Sequence, residues 1–225
     1  MKKYSIVIIV AMHIPVFLFS QGQFLDKGED GITVGITSLF NQVYGSIAEI
    51  AMYSYAGTLD FSISSGINTY GNENKGRIFS PAISYYLLRG EKSRTFIALH
   101  ASYSSESLSL PSSDNEATGY TYGVIIGHLV KSSREIALRP SVGIFYQNSS
   151  NKKTERARGP WFPTAVVEES QQTSFIGQVD FSFFFPIKDR NALILDCAYA
   201  FAAPQYGQVV SMYGISLSYI FSFGK

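Results

Sequence analysis

His100 and Ser102 are the residues whose types and spacing come nearest to a catalytic pair. In an extended strand, residues i and i+2 lie on the same face, so the imidazole and the hydroxyl would be neighbours. An imidazole that takes the proton of a serine makes it a nucleophile, and a third group normally orients the imidazole. No third group is evident, and serine is abundant in the chain. The pair is therefore a weak catalytic candidate, and a hydrogen-bonded histidine is the simpler interpretation.

Four charged residues stand among small and apolar neighbours, in segments of alternating polarity: Arg139, Asp180, Asp196 and Asp60. Asp180 and Asp196 are equally far along the chain from Lys188, which lies in a short turn, so paired strands would set them opposite each other. Arg139, on the preceding segment, is the cation that two neighbouring carboxylates require. The cluster could form a salt-bridged plug, a charge-selective constriction or a catalytic carboxylate pair. We expect the plug.

The segment Asn148–Gln171 is the most unusual stretch of the chain. It reads NSSNKKTERARGPWFPTAVVEESQ and joins a basic half to an apolar centre that holds the single tryptophan. Loops of this length are often functional, and tryptophan and arginine anchor interfaces. The predicted loop could fold into the mouth as a lid or plug, contact lipopolysaccharide phosphates and the membrane surface, or be a partner-binding or merely mobile loop. Its candidate contact residues are Lys152, Lys153, Arg156, Arg158, Trp161 and Phe162.

The composition excludes several classes of protein. Charged residues make up 16% of the 225 residues and the formal net charge is +1, so the chain has no basic field for nucleic acid. Cys197 is the single cysteine, which excludes an internal disulfide and a multi-thiolate metal site. No glycine-rich phosphate-binding motif is present. We expect one domain with no metal, no cofactor and no nucleic-acid partner.

The first twenty residues resemble an export signal. Lys2 and Lys3 form a basic start, and Ser5–Phe19 is an apolar stretch of the length found in secretory signals. This stretch is short for a membrane-spanning helix, and Pro15 would disturb one. We therefore predict a signal peptide over residues 1–20 and a mature domain over residues 21–225.

The mature chain alternates in polarity with a period of two, as strands do. In its last segment the odd-numbered residues from Tyr213 to Phe223 are aromatic or aliphatic, and most even-numbered ones are serine or glycine. Short and long connections follow one another, as in an antiparallel barrel whose termini share one side. The predicted strands are 31–40, 46–56, 58–70, 77–89, 94–106, 117–130, 135–149, 172–186, 191–203 and 208–223.

The composition of the polar face favours a membrane barrel over a secreted soluble sandwich or lipocalin-like barrel. A sheet face in water carries lysine, glutamate, threonine and arginine, whereas this face carries mainly serine, alanine and glycine, which suit a crowded lumen. The opposite face is almost wholly apolar and suits hydrocarbon. We predict an all-β protein, a transmembrane antiparallel β-barrel of about ten strands. Eight strands is the alternative, because Ser46–Ala56 is apolar on both faces and leaves the direction of Glu49 undefined.

The signal, the ten segments and the aromatic closing strand together resemble small bacterial outer-membrane β-barrel proteins of the Bacteroidetes type. The closing strand GISLSYIFSF, Gly214–Phe223, is similar to the signal that the barrel-assembly machinery reads in this family, although Gly224 and Lys225 follow its last aromatic residue. The resemblance implies a location in the bacterial outer membrane, with periplasmic termini and extracellular long loops. The family covers many functions, so it implies no mechanism.

Three functions are compatible with these features. The leading expectation is a non-enzymatic barrel with a structural or surface-interaction role and a mostly filled lumen, in contact with outer-membrane lipid and lipopolysaccharide. The first alternative is a narrow, porin-like channel for small solutes or ions. The second is an outer-membrane lipase or deacylase, because phospholipases and lipid A deacylases of that membrane pair histidine and serine at the spacing of His100 and Ser102. The alternation, however, sets both residues in the lumen rather than toward lipid.

Overall fold

A computed structural model describes residues 30–41, 45–70, 74–89, 93–110, 113–131, 136–155, 166–187, 191–204 and 210–224. Ten strands occupy almost all of these residues. The predicted signal peptide lies outside the described part. The strands are β1 Gly31–Asn41, β2 Gly45–Tyr55, β3 Leu59–Tyr70, β4 Asn74–Arg89, β5 Ser93–Leu110, β6 Ser113–Lys131, β7 Ala137–Glu155, β8 Val166–Pro186, β9 Ala192–Pro204 and β10 Val210–Gly224.

The ten strands form a closed antiparallel barrel. Each strand pairs with its neighbours in the chain, and β1 pairs with β10 from Gly31 opposite Gly224 to Asn41 opposite Gly214. Closure gives each strand a paired neighbour on both sides over the part of the barrel that all ten strands share, which a membrane interior requires. The predicted fold class and the count of ten strands are confirmed, and the alternative of eight strands is wrong. Among the described residues, no helix has the length and hydropathy needed to cross a membrane.

Side chains alternate between a lumen face and an outward face, as the period of two predicts. On β8, Phe184 is 0% exposed in the lumen and its neighbour Phe185 is 37% exposed outside. On β10, Ser216 and Ser218 point inward while Leu217 points outward. The outward face is mainly aromatic and aliphatic, which suits contact with hydrocarbon chains.

The strands differ in length around the barrel. Strands β1, β2 and β3 have 11 to 12 residues, whereas β5 to β8 have 18 to 21. We call the end where β1 begins and β10 finishes the terminal end, and the opposite end the loop end. The extra residues of β5 to β8 lie at the loop end, so the long strands project beyond the short ones there.

These projections correct the predicted loops. The predicted loop over 148–171 is strand from Asn148 to Glu155 and again from Val166. The connection between the predicted strands 94–106 and 117–130 is also mostly strand. The physical reason is charge pairing across the ladder, since Lys152 is opposite Glu169 and Lys153 is opposite Glu168. Opposite charges on facing strands stabilise a sheet even where every side chain is polar. Polarity was therefore a poor guide to where these strands end.

A tight turn at Ala56 and Gly57 joins β2 to β3 at the terminal end. Their φ angles are 47° and 50°, and the Thr58 amide donates to the Tyr55 carbonyl at 2.9 Å. Two positive φ values in a two-residue hairpin define a type I′ turn, whose twist matches that of the strands. Glycine adopts this conformation freely, but the Cβ of Ala56 makes it costly.

Replacing Ala56 with asparagine is therefore expected to stabilise the barrel. Asparagine tolerates positive φ better than alanine, and Asn-Gly is a favoured type I′ pair. We expect Ala56→Asn to raise the free energy of unfolding by about 0.5–1 kcal/mol, measured by urea titration of the refolded protein. Gly57→Ala is the matched control and should lower it by about 1–2 kcal/mol. Equal stability of all three proteins would contradict the strain assigned to Ala56.

Candidate functional site

Arg139, on β7, is buried in the lumen near the terminal end. Its side chain is 0% exposed, and its Nη2 donates to Ser182 Oγ at 2.7 Å. The same Nη2 lies 4.0 Å from Asp196 Oδ1. Register explains this group, because Arg139 is opposite Ser182 on β8, and Ser182 is in turn opposite Asp196 on β9. One row across three strands thus brings a cation to a carboxylate.

The two carboxylates are held by hydroxyl and amide groups as well as by the arginine. Gln178 Nε2 donates to Asp180 Oδ1 at 2.6 Å, and Ser216 Oγ donates to Asp196 Oδ2 at 2.9 Å. Asp180 also accepts a longer hydrogen bond, 3.4 Å, from Ser141 Oγ. Buried carboxylates need such donors, because removal from water is costly unless it is compensated.

The prediction that Asp180 and Asp196 lie directly opposite each other is wrong. Asp180 pairs with Ala198, and Asp196 pairs with Ser182, so the two carboxylates are diagonal neighbours. The register of β8 and β9 is therefore shifted by two residues from the pairing that equal distances from Lys188 predict. A diagonal offset lets Arg139 interact electrostatically with both acids while they stay apart.

Asp60 belongs to the same level of the lumen but has a different partner. The Tyr86 hydroxyl of β4 donates to Asp60 Oδ2 at 3.2 Å. Arg94 of β5 is 4% exposed in the lumen, and its charge acts on Tyr86 together with that of Arg139. Arg94 is not among the predicted lumen charges, although its even number gives it the face of His100 on the same strand. We call Asp60, Arg94, Arg139, Asp180 and Asp196 the charged belt.

Apolar layers lie on both sides of the charged belt. The Arg139 guanidinium carbon is 5.1 Å from the centre of the Phe184 ring and 5.6 Å from that of Phe96. Both distances are in the range of cation–π contacts. Phe184 belongs to the terminal-end layer: Leu129, Ala137, Phe184, Ala192, Ile194 and Ile220. Phe96 belongs to the loop-end layer: Tyr86, Phe96, Ala98, Ile125, Phe145, Ile176, Ala200 and Ala202.

His100 and Ser102 lie on the lumen face of β5, as their parity predicts. His100 is 7% exposed and meets the edge of the Phe145 ring, with centroids 6.0 Å apart. Leu99 and Tyr103 occupy the outward face instead. The imidazole is thus packed on the loop-end layer and points away from the surface that would meet lipid.

The candidate surface residues are only partly described. Lys152 and Lys153 lie in β7, opposite glutamates of β8, so cross-strand acids balance half of the predicted basic patch. Arg156, Arg158, Trp161 and Phe162 lie outside the described residues. Within the described ranges, no group of three or more histidine, cysteine, aspartate or glutamate side chains could hold a metal ion.

Comparison with known proteins shows the fold and nothing narrower. No protein-family model matches the chain, and no characterised protein matches its sequence. The structure is similar to the outer-membrane protease OmpT from Escherichia coli, with 9% identity, a TM-score of 0.53, and 90% of this chain and 98% of that chain covered. It is similar to the translocator domain of the autotransporter NalP from Neisseria meningitidis, with 9% identity, a TM-score of 0.54, and coverage of 99% and 94%.

The chain therefore has the fold of bacterial outer-membrane β-barrels. At these identities the likeness concerns the arrangement of strands alone, since barrels of one architecture carry unrelated functions. The expectation of a Bacteroidetes-type barrel stays a prediction.

Proposed function

We propose that this protein is a non-enzymatic barrel of the bacterial outer membrane, with a structural or surface-interaction role and a filled lumen. The observation that carries the proposal is the contact of the buried Arg139 guanidinium with two lumen rings, Phe184 of the terminal-end layer and Phe96 of the loop-end layer. Apolar layers on both sides of a charged belt oppose the passage of water and ions. Small barrels of this kind are packed by their own side chains rather than hollow.

The proposed orientation sets the terminal end in the periplasm and the loop end outside the cell. Outer-membrane barrels have short periplasmic turns and longer extracellular segments. Two features support this orientation here: the tight turn at Ala56 and Gly57, and the projecting strands β5 to β8 at the other end. The predicted signal over 1–20 would deliver the chain to the periplasm.

The proposed partners are outer-membrane lipid, lipopolysaccharide and the barrel-assembly machinery. Aromatic residues of β10 point outward, where Phe221 is 42% and Phe223 is 60% exposed, so the closing strand 214–223 can present them to an assembly partner. Cross-strand glutamates already face Lys152 and Lys153. The proposed contact with lipopolysaccharide phosphates therefore depends mainly on Arg156 and Arg158.

A lipase or deacylase role for His100 and Ser102 is disfavoured by where the imidazole lies. A lipid substrate would have to reach a side chain that is 7% exposed inside the barrel and packed on Phe145. We therefore expect Ser102→Ala to leave the turnover of phospholipid and lipid A unchanged. Turnover by the wild type that is lost in this variant would establish the enzymatic alternative.

The decisive measurement is the ion conductance of refolded residues 21–225 in a planar lipid bilayer. We expect a folded barrel, verified by its heat-dependent mobility on a gel, to show no discrete conductance steps, because apolar layers seal the lumen on both sides of the charged belt. Steps whose size changes in Arg139→Ala would contradict the proposal. They would instead establish the narrow channel, with the charged belt as its constriction.

A further inference from the structure

Glu49 faces outward from β2, although its neighbours on that face, Ile47 and Ala51, are apolar. Its side chain is exposed on the surface that would meet lipid. Across the ladder it is opposite Ile36 on one side and Ser65 on the other. The sequence could not assign this direction, because β2 is apolar on both faces.

The height of Glu49 sets it within the hydrocarbon region. It lies six residues from Tyr55, the terminal end of β2. With the rise of a tilted strand, this is about 15 Å into an apolar band about 25 Å tall. A carboxylate on the lipid face at that depth is unfavourable unless it has a partner, and such residues mark functional sites.

Glu49 lines a groove of about 450 Å³ on the outer surface of the barrel. Its sides are formed by apolar residues of four strands, and small residues including Gly35, Ala51 and Ser65 line it as well. Glu49 is the only charged residue among the described residues of the lining. Within the described part of the chain, no hydrogen bond or ion pair engages its carboxylate. The apolar sides are Val34, Ile36, Ile63, Phe79 and Phe221.

We propose that this groove binds an amphiphile that carries a protonated amine and an apolar body. The Glu49 carboxylate accepts hydrogen bonds from the ammonium group, and the Ser65 hydroxyl beside it supplies a further acceptor. The volume is that of a small-molecule site, and the apolar sides hold the hydrocarbon part. Low dielectric surroundings strengthen the ion pair far beyond its value in water.

Two other occupants fit less well. A neutral acyl chain would fill the groove but leave the carboxylate without a donor. A second copy related by a two-fold axis would set one concave surface against another and bring the two Glu49 carboxylates to the same depth. An amphiphilic amine pairs with the Glu49 carboxylate and also fills the apolar groove.

The test uses the refolded barrel in phosphatidylcholine vesicles, which contain no primary amine, and titrates in dansylcadaverine, a fluorescent amphiphile with a primary amine. We expect saturable binding with one probe per barrel. Glu49→Gln should weaken binding by about tenfold or more, since it removes the charge and keeps the shape. Glu116→Gln is the matched control, because Glu116 is an exposed glutamate of β6 outside the groove, and it should bind like the wild type.

A second probe separates charge recognition from apolar contact. The N-acetylated form of the same dye keeps the apolar body and loses the charge, so its binding should be weak and equal in the wild type and in Glu49→Gln. Glu49→Gln is expected to fold, because it removes a charge from the lipid face, and heat-dependent gel mobility verifies this. Equal binding of the charged and acetylated probes by the wild type would overturn the proposal.

Two further arms identify the source of the amine and the competing occupant. Competition by vesicles that contain phosphatidylethanolamine would identify a bilayer lipid as the natural amine, and absence of competition would indicate a free amphiphile. In both cases, the site is supported if Glu49→Gln weakens binding of the probe, and it is contradicted if Glu49→Gln binds the probe like the wild type. A wild-type dimer that becomes monomeric in Glu49→Gln would overturn the proposal in favour of contact between copies.

Discussion

Replacing Arg139 with methionine is expected to lower the free energy of unfolding by about 3–5 kcal/mol, the usual cost of removing one partner from a buried ion pair. Methionine fills much of the same volume, so the loss is mainly electrostatic. Without the guanidinium, Asp196 and Asp180 would stay in the lumen with no cation between them, and Ser182 would lose its donor. Urea titration of the refolded barrel in lipid vesicles, monitored by circular dichroism, measures this change.

Three further variants show whether the loss comes from the ion pair. Asp196→Asn removes the nearer carboxylate, so adding Arg139→Met to it should cost less than Arg139→Met alone, with a coupling energy of about 1–3 kcal/mol. Arg139→Lys keeps the charge but loses the planar guanidinium, so its free energy of unfolding should lie between those of the wild type and Arg139→Met. Arg77→Met makes the same exchange at an exposed site of β4 and should not reduce stability. Zero coupling would mean that Arg139 acts through packing alone.

The inward direction of these charges could be predicted because the side-chain period of a strand is two. Arg139, Asp180 and Asp196 each share a face with small residues, and a single barrel lumen then has to bring them near one another. Which atoms meet depends on register, and register depends on the hairpin turn. A register shift of two residues between β8 and β9 makes the two aspartates diagonal rather than opposite.

The rest of the site could not be predicted because the lumen face and the lipid face of its strands do not differ in polarity there. Phe184 lies in a run of aromatic residues, Phe183 to Phe185, where the lumen side and the lipid side have the same character. Glu49 lies in a strand that is apolar on both faces. At the loop end, both faces of the strands are polar instead. The sequence around Lys152 and Glu169 therefore looks like a solvated loop until their pairing across the ladder is known.

Replacing Phe145 with alanine is expected to lower the free energy of unfolding by about 3–5 kcal/mol, the usual cost of emptying a packed aromatic site. The ring is 1% exposed and belongs to the loop-end layer. It lies directly over Gly123, so that a Cβ added at this glycine would overlap the ring atoms, and it also contacts Gly143. The position of the ring therefore depends on glycine on the neighbouring strand.

This dependence predicts that the two residues are strongly coupled. Gly123→Ala alone should cost about 1–3 kcal/mol, because the confined ring has to leave its position. The same substitution in the Phe145→Ala background should be nearly neutral, because the overlapping atoms are gone. Gly177→Ala is the matched control: its Cβ would also overlap a ring, that of Phe201, but this ring is 45% exposed and can swing toward lipid. If Gly123→Ala and Gly177→Ala lower the free energy of unfolding by the same amount, the confinement of the Phe145 ring in the lumen does not determine how this layer packs.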